Sequence, residues 1–257
     1  MSMRKKLYVF LASALVINFL FVYATTKPSE IIPTASNTVN VRDAALSGAD
    51  GEGDVTVNTK SSLYDNLHLD KLNLSRGAFE YAMTGYNYLL NAGKLNNDQL
   101  LSIVDFSLPS SKKRLFVIDL KNGTLVYNTY VAHGRNSGRE MANQFSNQPE
   151  SNKSSLGAYV TGGTYTGKHG YSLRLLGQEK GINDNANSRA IVMHSAPYVS
   201  EGAVKMQGFI GRSLGCPALP ENLYRPIIEK IKNGSCLFLY SPDSDYAMHS
   251  TIVKKLV

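Results

Sequence analysis

The chain has 257 residues, 43% of them hydrophobic, enough for one sizeable folded domain with accessory segments. Its 27 Lys and Arg against 20 Asp and Glu give a net charge of +7, which suits an anionic cell envelope. No basic stripe or recognition motif accompanies that charge, so a nucleic-acid reader is set aside.

In chain order, Arg4, Lys5 and Lys6 precede an apolar run from Leu7 to Ala24, and Val22-Tyr23-Ala24 offers small residues at cleavage offsets before Thr25-Thr26-Lys27-Pro28. Residues 1–24 are therefore expected to be a signal peptide. At roughly 18 apolar residues they also suit an uncleaved membrane anchor, with attachment through residues 7–24. Either outcome places the rest of the chain outside the cytoplasm, exported to the periplasm or cell envelope or held at the inner membrane. Residues 25–62 are rich in Ser, Thr, Asn, Asp and Gly without an apolar period and read as a flexible linker. Residues 63–108 are expected to form a small helical extension. There Ser75 caps a helix whose apolar positions Ala78, Phe79, Ala82, Met83, Tyr86, Leu89 and Leu90 recur at helical spacing up to Gly93.

From Lys113 the pattern becomes strand-like. Leu115–Leu120 and Thr124–Val131 flank Asn122-Gly123, a hairpin signal in which both turn positions are expected at positive φ. Further short β-rich runs fall at Gly157–Thr161, Tyr171–Leu176, Ala190–Met193 and Cys236–Tyr240, with one helix near Glu221–Lys232 ended by Asn233-Gly234. The expected fold class is mostly β over 109–245, with a C-terminal tail at 246–257.

Two cysteines permit one disulfide, but their settings differ: Cys216 sits in a Gly-rich loop, whereas Cys236 opens the apolar run to Tyr240, as a small buried hydrophobe would. The central constellation is His194-Ser195 followed by Ser213-Leu214-Gly215-Cys216. A free thiol is only about 3% thiolate at neutral pH, so a working Cys needs a base or a cationic neighbour, and a His can accept its proton and return it to a leaving amine. Gly215 lets backbone approach a substrate closely, and amides around Cys216 can serve an oxyanion. His194 ends a strand-like run, where a sheet would hold it.

The wording around these residues is more specific than the pair. HSAPYVS at 194–200, GRSLGCPALP at 211–220, HGRNSG at 133–138 and the stretch from Ala142 to His194 together resemble the murein L,D-transpeptidase catalytic-domain family over roughly residues 100–243. The resemblance implies an L,D-transpeptidase-like β-sandwich or barrel domain and a catalytic set of Cys216, His194, Ser213 and Gly215. It also implies acyl transfer on peptidoglycan stem peptides through a Cys thioester with release of D-Ala. Trimming of stems by an L,D-carboxypeptidase, and an inactive envelope-binding protein, stand as alternatives. Two positions depart from the better-known branch: Leu214 stands where that branch has His, and Pro217-Ala218 follow the Cys where it has Arg or Asn at the second place. Arg212 and Arg174 are candidate substrate-binding replacements, by the bidentate carboxylate chemistry of arginine. His169 is a candidate to line the cleft, His133 a weaker one, and Ser195 or a backbone carbonyl in the 213–215 loop a candidate to orient His194. The partners implied are stem peptides and a wall-linked acceptor protein.

Three competing motifs fail. Gly162–Lys168 begins like a phosphate-binding loop, but His169 stands where Ser or Thr is needed and no helix is expected next. His133, His169 and His194 lack the close spacing of a zinc site, so no metal and no cofactor is expected. Papain-like enzymes place Cys before His in the chain, the reverse of the order here.

Overall fold

The structure is a computed structural model that describes residues 62–256. The segment read as signal or anchor, and the linker up to residue 61, lie outside the described residues.

Helix α1 (Arg76–Asn91) begins at Ser75, whose side-chain oxygen accepts from the Ala78 N–H. Its apolar stripe (Ala78, Phe79, Ala82, Met83, Tyr86 and Leu89) is buried against strands of the sheet. Burial of a Phe or Leu there contributes roughly 1.5–3 kcal/mol each.

The strands are β1 (Leu100–Asp105), β2 (Leu115–Asp119), β3 (Thr124–Thr129), β4 (Gly157–Gly167), β5 (Gly170–Gly177), β6 (Val192–Ser195), β7 (Ala218–Leu219) and β8 (Cys236–Tyr240). Among the described residues these eight form one sheet in the order β3-β2-β1-β8-β4-β5-β6-β7. Pairing is antiparallel except for β1 with β8 and β6 with β7. The chain leaving β3 then reaches the opposite edge: Ala132 N–H donates to Ala218 O, and Gly134 bridges Ser213. That contact nearly closes the sheet, and the loop carrying Cys216 lies at the closure. Helices α2 (Glu201–Gln207), α3 (Tyr224–Ile231) and α4 (Ser244–His249) complete the fold, α3 packing Ile227, Ile228 and Ile231 inward.

The mostly β expectation holds. A separate helical extension over 63–108 does not describe the structure, because β1 falls inside it and is bonded between β2 and β8. Every residue of β1 is buried. Such a strand has no polar alternation to announce it and reads as an undifferentiated apolar run. The hairpin at Asn122-Gly123 forms, but only Gly123 (φ 57) has positive φ. Asp119 supplies the turn instead, accepting from both the backbone N–H and the side-chain amide of Asn122. The residues expected as a tail are packed. Glu179, 1% exposed, accepts from Ala158 N–H, Tyr246 O–H and Ser250 O–H, and Ile252 and Val253 are buried.

Candidate active site

Strand β6 places His194 opposite Ala218 of β7 in parallel register. Continuing that register two residues back sets Cys216 beside Val192, and the Val192 N–H does donate to Cys216 Sγ at 3.4 Å. Val192 and His194 are two residues apart on one strand and so share a face. On strand dimensions the Cα atoms of Cys216 and His194 are then roughly 8 Å apart. The thiol itself donates to Ala190 O at 3.6 Å. Ala190 holds a left-handed φ of 54, an uncommon conformation for a residue with a side chain.

The His194 ring is set by one hydrogen bond. Its Nδ1 lies 2.8 Å from Ser195 O, and a carbonyl only accepts, so Nδ1 carries the proton and Nε2 is the open lone pair. Nε2 has no hydrogen-bond partner among the described residues. Burial lowers the His194 pKa, opposed by the bond to Ser195 O and assisted by His169, so the ring stays neutral at neutral pH. His169, exposed in the β4–β5 turn, stacks on it with centroids 4.5 Å apart. Burial raises the Cys216 thiol, against the pull of the Val192 N–H and of Arg189. The resting pair is thus thiol and neutral imidazole.

The loop around Cys216 is tied down group by group. Ser213 N–H donates to His133 O, and Ser213 Oγ accepts from Gly215 N–H (3.0 Å) while donating to Cys216 O (2.6 Å). Gly215 has φ 125, and a Cβ there would sit 2.8 Å from Lys153 O, so no other residue fits. Ser154 Oγ donates to Gly215 O at 3.2 Å. The backbone N–H of Cys216 donates to no backbone oxygen among the described loop contacts, and it acts on its own sulfur, where it favours the thiolate. Leu214, 61% exposed, borders a groove of about 360 Å³ that Asn152, Arg189, Ala190 and Ile191 also line.

Of the other residues singled out by sequence, Ser195 serves through its carbonyl. Arg212 Nη1 donates to Arg135 O (3.2 Å) and Gly138 O (3.1 Å), fastening one loop to another. Arg174 pairs in register with Val192, and its guanidinium lies over the Tyr165 ring, 4.5 Å from the centroid. His133 is fully buried behind the loop, with Nδ1 2.7 Å from Arg114 Nη2 and Nε2 3.2 Å from Gly138 O. It does not line the cleft. The Gly162–Lys168 run lies in β4 and its turn, and a strand follows it rather than a helix. Cys216 and Cys236 are both free, and Cys236 is buried in β8.

Sequence reasoning missed Arg189, Tyr198 and Ser154. Arg189 is held by four neutral oxygens, at Ser146 O, Ser155 Oγ, Ser151 Oγ and Lys153 O, and its charge favours a thiolate at Cys216. The Tyr198 phenol is pushed up to about 12, chiefly by burial, so it stays neutral. No spacing signal marks any of the three; only folding brings them to the loop.

Fold and corner together define a class: a mostly β domain that presents a Cys loop and a strand-end His where its sheet closes. A family model of the L,D-transpeptidase catalytic domain matches residues 70–240, and the chain belongs to that family. Similar solved structures include an L,D-transpeptidase from Mycobacterium smegmatis, at 13% identity over 56% of this chain and 59% of that one, TM-score 0.34. Mycobacterium tuberculosis L,D-transpeptidase 1 is similar at 13% identity over 55% and 62%, TM-score 0.32. The helical cell shape determining protein Pgp2 from Campylobacter jejuni is similar at 15% identity over 66% and 58%, TM-score 0.38. This chain spans less than two thirds of the length of each of them. A search among curated proteins finds no match.

Proposed function

We propose that the protein is an L,D-transpeptidase of peptidoglycan stem peptides that works through a thioester on Cys216. The observation that carries this reading is the corner itself: Cys216 stands two residues before Ala218, the register partner of His194, its sulfur accepts from Val192 N–H on the same strand as His194, and the neutral His194 ring leaves Nε2 without a hydrogen-bond partner among the described residues.

In this reading the Cys216 side chain turns from Ala190 O to His194. As Sγ bonds to the carbonyl carbon at the L-centre of the stem's diamino acid, the thiol proton passes to Nε2. The carbonyl electron pair moves to oxygen, which accepts from the Cys216 N–H. Collapse breaks the C–N bond, and the imidazolium returns the proton to the departing D-Ala amine. An amine from a second stem, or from a wall-linked protein, then attacks the thioester carbonyl as His194 takes its proton; the C–S bond breaks, and the imidazolium returns the proton to the departing Cys216 sulfur. A neutral imidazole suits this step, since it must accept rather than hold a proton. The basic head and apolar run at residues 4–24 support action at the cell envelope, with residues 7–24 as a route to membrane attachment.

The test is incubation of the full chain with tetrapeptide stems, alone and with an amine acceptor, followed by chromatographic separation of products. The expected outcome is D-Ala release with crosslinked product, abolished in Cys216→Ala. Release without crosslinking identifies a carboxypeptidase, and no release from the native protein favours an envelope binder.

A further inference from the structure

Ser154 lies 61 residues before Gly215 in the sequence. Its hydroxyl is 1% exposed and makes two bonds in the loop region: it accepts from Gly134 N–H at 3.1 Å and donates to Gly215 O at 3.2 Å. Gly134 is itself bridged to Ser213, so Ser154 joins both flanks of the Cys216 loop. The backbone N–H of Ser154 is anchored in turn on Ser137 Oγ at 2.9 Å.

The consequence follows from peptide geometry. Gly215 C=O and Cys216 N–H belong to one planar unit, and no peptide bond here is cis, so the two groups point in opposite directions. A hydroxyl that fixes the carbonyl on the buried side therefore fixes the amide on the other side. The neighbouring donor cannot substitute for it, because Gly215 N–H is occupied by Ser213 Oγ. Gly215, at φ 125, has no side chain to resist rotation of this unit, so hydrogen bonds set its orientation: Ser213 Oγ holds the groups on either side, and Ser154 Oγ holds the carbonyl of the unit itself.

We propose that Ser154 is a positioning residue for acyl transfer: through Gly215 O it aims the Cys216 N–H at the oxygen of the acyl group under attack. This rests on the proposed thioester reaction at Cys216. It adds a residue that touches neither sulfur nor substrate.

The experiment compares two reactions of the same sulfur in the full chain. A carbapenem acylates it through a tetrahedral oxyanion, whereas iodoacetamide alkylates it by displacement, with no oxyanion to stabilise. Ser154→Ala is expected to slow acylation about tenfold to a hundredfold, since a misaimed donor loses part of what a missing one costs. Alkylation, which reads the thiol alone, should change by no more than about twofold. Ser154→Thr, which keeps the hydroxyl, should restore acylation. Ser137→Ala removes a bond from the same buried cluster without touching Gly215 and should leave the ratio of the two rates unchanged. Should the alanine variant fail to fold, Ser154→Cys reads the same ratio, with a loss of about threefold to tenfold expected from its weaker donor. Equal slowing of both reactions, or of neither, in Ser154→Ala or Ser154→Cys overturns the proposal. Absence of any acyl adduct in the native chain would instead remove the thioester reading on which it stands.

Discussion

His133 and His194 flank the same loop, and both are held neutral by burial, yet they are equipped for opposite tasks. Both nitrogens of His133 are engaged: Nδ1 accepts from the buried Arg114 guanidinium, and Nε2–H donates to Gly138 O. His133 also passes the constraint on, since its backbone carbonyl accepts from Ser213 N–H. His194 is fixed through one nitrogen only, and the other has no hydrogen-bond partner among the described residues. A fully satisfied imidazole braces a fold; a base needs a lone pair that the fold leaves unclaimed. The contrast lies in hydrogen-bond bookkeeping rather than in residue type or depth.

Breaking His194 should therefore cost rate, and breaking His133 should cost stability. His194→Ala is expected to slow acylation of Cys216 by about 10²–10⁴, the range for loss of a general base, with little change in melting temperature. Rates within about threefold of native would move the base elsewhere, with the stacked His169 next in line.

His133 gives the next largest effect, and it is read in pH. Burial, with the adjacent Arg114 charge adding to it, pushes its pKa down from 6.5 to about 4. Between those values the unfolded chain binds a proton that the folded chain does not, so stability falls as pH drops from about 6.5 to about 4. The loss expected from this group is about 3 kcal/mol at pH 4, measured by denaturant unfolding across that window. His133→Gln, which can still accept from Arg114 and donate to Gly138, should flatten the slope. An unchanged slope in that variant would assign the acid sensitivity to other groups. Arg212 is the smallest expected effect. Its Nη1 is engaged by two carbonyls, so Arg212→Ala should raise the KM for stem peptides by no more than about threefold, whereas a rise above tenfold would give it the substrate carboxylate as a partner.

The sequence revealed those parts of the molecule whose physics is local. Ser75 as a cap, the stripe from Ala78 to Leu89, the hairpin at Asn122-Gly123 and the strand at Cys236–Tyr240 are each set by periodicity or turn chemistry within a few residues. Strand β1 escaped because both of its faces are buried, and β7 because two residues between Pro217 and Pro220 carry no pattern. At the corner, Cys216, His194, Ser213 and Gly215 stood out through motif wording. The groups that complete it did not. Ala190 O, Val192 N–H and Ser154 Oγ act through backbone or a lone hydroxyl, and neither leaves a signature in residue identity. Motif wording set His194 ahead of His133, but the bonding of their single ring nitrogens, which tells the two rings apart physically, was not legible in residue identity.

The most direct test of the central claim is to locate the acyl group. The full chain would be treated with a carbapenem at neutral pH, digested, and the modified peptide sequenced by mass spectrometry. The account predicts one covalent adduct on the peptide carrying Cys216, formed at a rate that persists below pH 6.5 because the His194 pKa is lowered. An adduct mapped to another residue, or a native protein whose Cys216 stays unmodified while the fold is intact, would contradict it.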